Sequence, residues 1–282
     1  MFSFRLLLTG RKSPPDLGPL GEVQAMGRVS WKIAGASVVG FSHETAGVPC
    51  QDAHATSVLP GGWFVGAVCD GAGTAARSAE GARLVADGVV AHISSRLNAF
   101  QSRNQLTETL AKEWVQGAVE EVRAQLSSLA EGQSIRIAEF HATLVGAIAG
   151  PSGGIFFHVG DGAALATTSS DFSESVVSHP ENGEYANETY FVTQEEWQQH
   201  LRTVTFGPKF NLITLMSDGV TPFALAPEAS GASVPFFDPL SRYLTVHERQ
   251  ESERELAALL RRDAIRRVTG DDKTLLWALR IT

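Results

Sequence analysis

The chain has 282 residues, enough for one large domain or two small ones with a sizeable core. Its net charge of -8 argues against a general nucleic-acid-binding protein, because such proteins carry a basic face. Its two cysteines, Cys50 and Cys69, predict free thiols in a reducing cytoplasm. The apolar patch after Met1 is too short for a membrane span and has no signal-peptide cleavage site, so we expect no membrane attachment.

The predicted elements begin after a tail. Residues 1–27 show no sustained periodicity, so we expect a tail or leader there and one domain over 28–282. SWKIAGASVVGFSH (30–43) predicts a strand, and GGWFVGAVCDG (61–71) predicts a second one. Apolar residues at helical spacing then predict a pair of amphipathic helices between residues 77 and 128.

The middle of the chain returns to short strands. ATLVGAIAG (142–150) and GGIFFHVGDGAALAT (153–167) predict strands joined by a hairpin turn at residues 151–154. The polar stretch from residue 167 to about 201 predicts a long loop with little regular structure.

The last third contains a helix between two strands. LITLMSDGV (212–220) and TLLWALRI (274–281) predict the strands, and SERELAALLRRDAIRRV (252–268) predicts the helix. The basic run RRDAIRR (261–267) within it predicts a solvated helix face. Strands and helices that come in groups, without regular alternation, predict an α+β or layered α/β domain.

Acidic residues lie at the ends of several apolar strands. They are Asp52, Asp70, Asp161, Asp218, Asp271 and Asp272. Burying several like charges costs several kcal/mol each unless a counter-charge compensates. Carboxylates suit hard cations such as Mg²⁺ or Mn²⁺, and a neighbouring glycine would let a carbonyl or a water approach the ion. One Asp-Gly pair usually forms only a turn, but several in this pattern predict a shared metal site.

Four motifs, AVCDGAG, HVGDGAAL, LMSDGV and GDDKT, occur in an order that resembles the PP2C-type (PPM) metal-dependent serine/threonine phosphatases. The resemblance extends over about Trp31 to Thr282, and GFSHETAGVPCQDAH and ENGEYANETYF resemble a bacterial branch. It implies a layered α/β/β/α fold, in which a central β-sandwich of two antiparallel sheets is flanked by helix pairs. It also implies hydrolysis of phosphoserine and phosphothreonine by a water activated between two divalent ions.

The resemblance assigns metal-binding roles to individual residues. Asp70 takes the position that bridges two ions, and Gly71 offers its carbonyl oxygen. Asp218 and Asp271 take the positions that hold the first ion, so these two and Asp70 are the expected catalytic aspartates.

Three further aspartates correspond to family positions. Asp52 matches an acid that acts on the second ion largely through water. Asp161 matches a position associated with a weaker third ion in bacterial members, so we expect two or three Mn²⁺ or Mg²⁺ ions. Asp272 occupies what is often an asparagine position.

The sequence departs from the family pattern at two places. Ala72 stands where eukaryotic members have a histidine, so a metal-bound water or another group would protonate the leaving alkoxide. Gly47 stands at about the place of a phosphate-binding arginine. His43 and Arg77 are candidates for that role by nearness in sequence, although surface and capping roles are commoner for such residues.

Two other classes of function are compatible with the motifs. A pseudophosphatase that acts as a binding or regulatory module would explain Ala72 and Gly47, while the retained ligands argue against it. A metal-dependent nuclease would need a basic groove, which the acidic composition does not favour.

The resemblance also implies partners. These are a phosphorylated protein substrate and, as in some bacteria, a serine/threonine kinase, and we expect a monomer. Cys50 and Cys69 could lie near one another, and buried packing is their expected role, with a redox switch as the less common one. Residues 178–200 correspond roughly to the family's variable flap beside the active site.

Overall fold

The computed structural model describes residues 29–100, 106–181 and 189–281. The expected tail over residues 1–27 lies outside the described residues. Within them, ten strands and seven α-helices are present. The strands are β1 (Ser30–Val38), β2 (Ala53–Leu59), β3 (Trp63–Cys69), β4 (Leu144–Gly150), β5 (Gly153–Val159), β6 (Ala163–Thr167), β7 (Ser175–Ser178), β8 (Arg202–Phe206), β9 (Leu212–Met216) and β10 (Lys273–Ile281). The helices are α1 (Phe41–Ala46), α2 (Ser78–Ala99), α3 (Glu108–Gln133), α4 (Thr221–Ala224), α5 (Val234–Val246), α6 (Arg249–Leu260) and α7 (Asp263–Arg266).

The strands form two five-stranded sheets in which every pairing is antiparallel. One sheet has the order β1-β10-β9-β6-β7, and the other has the order β2-β3-β4-β5-β8. Residues such as Phe64, Phe156 and Leu276 fill the space between the sheets. Alternate residues of a strand face opposite sides of its sheet. The outward-facing residues of both sheets are also apolar, so each outer face needs a layer that shields it from water.

Helices supply that cover on both outer faces. The long pair α2 and α3 packs on the second sheet through residues such as Val89 and Val122. Helices α5 and α6 cover the first sheet around Trp277, which is fully buried and donates its indole N–H to Ser241 at 3.0 Å. The predicted layered α/β/β/α architecture is therefore confirmed.

Two predicted strands end earlier than their sequence pattern indicates. Strand β1 stops at Val38, where its pairing with β10 ends, and residues 41–46 form α1 instead of continuing the strand. The segment 153–167 divides into β5 and β6, which belong to different sheets. The chain leaves the first of these strands at Gly160, whose φ of 112° is a backbone conformation that residues with a side chain rarely adopt.

Other elements differ from the sequence patterns. The single helix predicted over 252–268 breaks after Leu260 and resumes as the short α7. The stretch 167–201 contains β7 and a 3-10 turn at Trp197–Gln199, so it has more regular structure than its polar sequence predicts, while 182–188 lies outside the described residues. Helix α5 was not predicted, because Pro239 interrupts its helical pattern.

Candidate metal centre and active site

The strand topology brings the predicted aspartates to one end of the sandwich. Asp70 follows β3, and Asp52 precedes β2, whose first residue Ala53 pairs with Cys69. Asp218 follows β9 and Asp271 precedes β10, and these two strands are antiparallel neighbours. Asp161 precedes β6, whose first residue Ala163 pairs with Met216 of β9.

These carboxylates interact with one another. Burial raises the pKa of Asp70 well above its usual range, and the negative charges of Asp52 and Asp218 raise it further. Burial likewise raises the pKa of Asp218, with additional repulsion from Asp161 and Asp271. A carboxylate with a raised pKa in a cluster of like charges lacks a positive partner, and a bound cation would supply one.

Asp52 is the most enclosed member of the cluster, at 7% exposure. Its Oδ2 accepts a 2.7 Å hydrogen bond from the hydroxyl of Ser217, which itself accepts the backbone N–H of Thr274 at 2.9 Å. Burial raises the pKa of Asp52 to about 7, although the Ser217 bond opposes the rise. The charge of Asp272 adds to the increase.

Three buried carboxylate oxygens at this end have no hydrogen-bond partner among the described residues. They are Oδ1 of Asp52, Oδ1 of Asp161 and Oδ1 of Asp218. A buried polar atom without a partner is costly and calls for a ligand, a water or an ion. Carboxylate oxygens are the donors that Mg²⁺ and Mn²⁺ prefer, so the residues present fit divalent cations.

The side chains do not enclose an ion by themselves. Over residues 29–100, 106–181 and 189–281, no three or more His, Cys, Asp or Glu side chains already form a closed ligand group. An ion at this end of the sandwich would therefore need backbone carbonyls and water to complete its coordination. That is the usual arrangement for Mg²⁺, which keeps several of its waters.

The glycines that follow the aspartates have a packing role. A Cβ atom at Gly71 would lie 2.7 Å from the carbonyl oxygen of Ser78, and one at Gly219 would lie 2.0 Å from that of Asp272. Neither glycine has a positive φ. These Asp-Gly pairs are therefore places where two backbones approach closely, and only glycine leaves the room.

Asp272 differs from its neighbours because the chain itself satisfies it. Its two oxygens accept the backbone N–H groups of Gly40 and Gln51, each at 2.6 Å. These bonds fix the two ends of the α1 segment and so place Asp52 next to the cluster. The sequence pattern did not predict this anchoring role.

The two phosphate-binding candidates lie in different surroundings. Nδ1 of His43 is 3.0 Å from Oδ2 of Asp272, close enough for an ion pair but too poorly aligned for a full hydrogen bond. Its Nε2 faces the loop after Asp70, since a Cβ at Gly73 would lie 4.0 Å from it. Arg77 instead contacts Glu80 and Gln133, so its guanidinium is engaged away from the aspartates.

Several residues at this end were missed by sequence reasoning. The hydroxyl of Thr143 accepts the backbone N–H of Asp70 at 2.9 Å. Lys273 is 1% exposed and donates to the carbonyl oxygen of Asp271 at 2.6 Å, which places one positive charge beside the carboxylates. The available signals were the threonine in FHATLVG and the lysine in GDDKT, but both residue types are common at strand ends.

Residues 189–192, which follow the undescribed stretch 182–188, contact the aspartate cluster and its surroundings. The hydroxyl of Thr189 donates to Oδ2 of Asp161. Phe191 stacks on His141 with ring centroids 4.8 Å apart, and the backbone N–H of Val192 donates to the carbonyl of Ala142 at 3.0 Å. Residues 189–192 are therefore attached to the segment just before β4, which also carries Thr143.

The cysteines are separate from this chemistry. Cys69 is buried, Cys50 is partly buried, and both are free thiols. Burial raises the pKa of each thiol, and the nearby Asp52 charge raises it further. Neither thiol is favoured as a thiolate nucleophile.

No helix in the described parts of the chain is long and apolar enough to span a bilayer.

Comparisons with known proteins agree with this geometry. A family model described as protein phosphatase 2C matches residues 39–261. The chain is 30% identical over 261 residues to serine/threonine-protein phosphatase 3 of Escherichia coli strain K12, which covers 89% of this chain and 99% of that protein.

Solved structures share the fold at low identity. Serine/threonine phosphatase Stp1 from Staphylococcus aureus superposes with a TM-score of 0.58 at 15% identity, covering 89% of this chain and 95% of that one. The catalytic domain of the phosphatase PstP, solved in complex with two manganese ions, gives 0.59 at 15% identity and covers 90% of this chain and all of its own. The family that the four motifs predicted is thereby confirmed: the chain belongs to the protein phosphatase 2C family.

Proposed function

We propose that this chain hydrolyses phosphoserine and phosphothreonine in proteins, with divalent cations held at the aspartate end of the sandwich. The observation that carries the proposal is the convergence of Asp52, Asp70, Asp161 and Asp218, with raised pKa values and three buried carboxylate oxygens that lack a partner. The phosphatase name of the Escherichia coli relative and the two manganese ions of the PstP structure are consistent with it.

Each aspartate has an expected ligand role in this proposal. Asp70 would bridge two Mn²⁺ or Mg²⁺ ions, with Asp218 and Asp271 on the first and Asp52 beside the second. Asp161 would serve a third, weaker ion. When bound, such ions lower the pKa of water and offset the charge of the phosphoryl oxygens.

The chain's own residues favour direct attack by water over a covalent intermediate. The hydroxyl of Ser217 is already committed to Asp52 and Thr274, and burial disfavours the thiolates of Cys50 and Cys69. Hydrolysis then forms a bond from the water oxygen to phosphorus and breaks the bond from phosphorus to the seryl or threonyl oxygen. One proton of the water ends on the released alcohol.

His43 is our candidate for a phosphate contact. Its imidazole faces the loop that follows Asp70, and Asp272 lies against its other nitrogen. Arg77 is the weaker candidate of the two, because Glu80 and Gln133 already engage its guanidinium.

The proposal is tested by metal-dependent turnover. We expect the purified chain to hydrolyse p-nitrophenyl phosphate and a phosphoserine peptide with Mn²⁺, and EDTA to abolish both reactions. Asp70→Asn and Asp218→Asn should each lower the rate by about 10³-fold, because each removes a ligand that fixes charge at the reacting phosphate. Asp87→Asn is the matched control: it makes the same change from carboxylate to carboxamide at an exposed position on α2 and should retain the wild-type rate.

The same variants separate the alternatives. Activity that survives both Asp70→Asn and Asp218→Asn would rule out this metal centre. Mn²⁺ binding without turnover would identify a pseudophosphatase, and cleavage of labelled DNA or RNA would identify a nuclease. Metal-free Asp70→Asn should unfold at or above the wild-type temperature, because it loses a buried like charge, so a loss of activity cannot be mistaken for misfolding.

A further inference from the structure

A cationic surface borders the aspartate cluster on the side of α1 and α7. Arg262, Arg266 and Arg267 lie within six consecutive residues that contain one exposed aspartate, Asp263, in a chain whose net charge is -8. Arg262 and Arg267 are exposed, and of the three only Arg266 has an acidic partner among the described residues, Glu44. Positive charge concentrated on an acidic protein creates a local potential that attracts anionic segments.

Exposed apolar groups lie next to these arginines. The Arg266 guanidinium carbon is 5.0 Å from the ring centroid of Phe41, and that phenylalanine is 53% exposed. Val268 is 54% exposed. We call Phe41, Arg262, Arg266, Arg267 and Val268 the α1–α7 surface. Arg266 thus packs against α1, while Arg262 and Arg267 are exposed, as the predicted solvated helix face requires.

The α1–α7 surface is continuous with the metal centre. Val268 is three residues from Asp271, so their Cα atoms are at most about 10 Å apart. The hydroxyl of Thr269 donates to Oδ2 of Asp271 at 3.0 Å, and the backbone N–H of Ser42 donates to the carbonyl of Gly270 at 3.0 Å. A phosphorylated residue at the aspartates therefore has its flanking residues within reach of this surface.

We propose that the α1–α7 surface binds the substrate segment next to the phosphorylated residue and selects acidic segments. The inference rests on the proposed function and adds a class of substrate to it. Arginine pairs well with carboxylates, and arginine and aromatic residues are enriched among the side chains that dominate binding interfaces. The exposed Phe41 and Val268 fit an apolar residue within the same segment.

The test compares two phosphoserine peptides that are identical except for three flanking glutamates or three flanking lysines. With Mn²⁺ at low ionic strength, the wild type should show a kcat/KM about tenfold higher for the acidic peptide. Arg267→Glu should lower the acidic-to-basic ratio about fivefold to tenfold. Arg254→Glu makes the same charge change at an exposed position in α6 and should leave the ratio within about twofold. Each rate is normalised to the same variant's turnover of p-nitrophenyl phosphate.

The outcomes separate this inference from the proposed function. Turnover of p-nitrophenyl phosphate with equal rates on the two peptides would overturn the inference alone, whereas no metal-dependent turnover of any substrate would overturn both. A ratio that Arg267→Glu and Arg262→Glu leave unchanged would also overturn it. If the wild type were retained on anionic lipid vesicles and Arg267→Glu abolished that retention, the surface would be a membrane contact and not a substrate-binding surface. The preference should weaken from 50 to 300 mM salt, because exposed charges are screened.

Discussion

At one end of the β-sandwich, Asp52, Asp161 and Asp218 have buried oxygens without partners. At the other end, Arg280 is 6% exposed, and its two terminal nitrogens donate to the carbonyl oxygens of Gly150, Pro151, Pro208 and Phe210. Both ends contain buried charge, but the chain pairs both terminal nitrogens of Arg280 and leaves only its Nε without a partner, whereas each of the three aspartates has an unpaired carboxylate oxygen. Burial of a charged group therefore indicates a site only when the chain leaves that group unpaired.

Asp272 sharpens the contrast because it lies at the aspartate end but resembles Arg280. Its oxygens accept two backbone N–H groups at 2.6 Å. Being acidic and close to the aspartate cluster is therefore not enough to make a residue a candidate ligand. The two classes of buried charge should respond to substitution with opposite signs of stability change.

The largest effect is expected at Arg280. Arg280→Met should lower the free energy of unfolding by about 3 kcal/mol, because the carbonyl oxygens that accept hydrogen bonds from the guanidinium would lose their donor. Urea denaturation measures the change. Arg249→Met, at an exposed i,i+4 ion pair on α6, is the control and should cost less than about 1 kcal/mol. Equal costs for the two variants would contradict a structural role for Arg280.

A slightly smaller loss is expected at Asp272. Asp272→Ala leaves two buried backbone N–H groups without an acceptor, which should destabilise the metal-free protein by about 2 kcal/mol. Thermal unfolding in EDTA measures it, with Asp238→Ala as a surface control. If Asp272→Ala instead raised the unfolding temperature, as expected for Asp70→Asn, paired and unpaired carboxylates would not differ in their effect on stability.

The smallest effect is a pH dependence at the aspartate end. Asp52 has a pKa raised to about 7, above its value of about 4 in an unfolded chain. The folded metal-free protein therefore binds a proton that the unfolded chain releases, and the resulting stability is lost as the pH rises through 7. We expect the free energy of unfolding in EDTA to fall by about 1 kcal/mol between pH 6 and pH 8.

Two controls accompany the pH measurement. Asp52→Asn keeps an oxygen for Ser217 but cannot titrate, so the fall between pH 6 and pH 8 should be smaller than in the wild type. The dependence that remains belongs to Asp70, Asp161 and Asp218, whose pKa values are also raised. Saturating Mn²⁺ should stabilise the wild type more at pH 8 than at pH 6, since cation and proton compete for the same carboxylates. An unfolding free energy in EDTA that rises toward pH 8 would contradict a raised pKa for Asp52.

The sequence predicted the class of fold and the strand-end positions of the aspartates because both follow from periodicity and motif order. It did not predict that Asp272 anchors α1, since a carboxylate beside Asp271 has the same sequence signal whether it accepts backbone N–H groups or binds a cation. The division of segment 153–167 between two sheets was also not predictable, because the sequence is apolar on both sides of Gly160 and gives no sign that the two halves pair with different strands. Partners distant in sequence decide both cases.

The close backbone approaches at Gly71 and Gly219 affect how related chains should be classified. A descendant that lost its aspartates, and with them catalysis, would still need both glycines, because any side chain there would collide with a neighbouring carbonyl oxygen. The glycine in each Asp-Gly pair is therefore a marker of the architecture, and under the proposed function the aspartate is the marker of activity. Searches that weight the two letters equally would count inactive descendants as working enzymes.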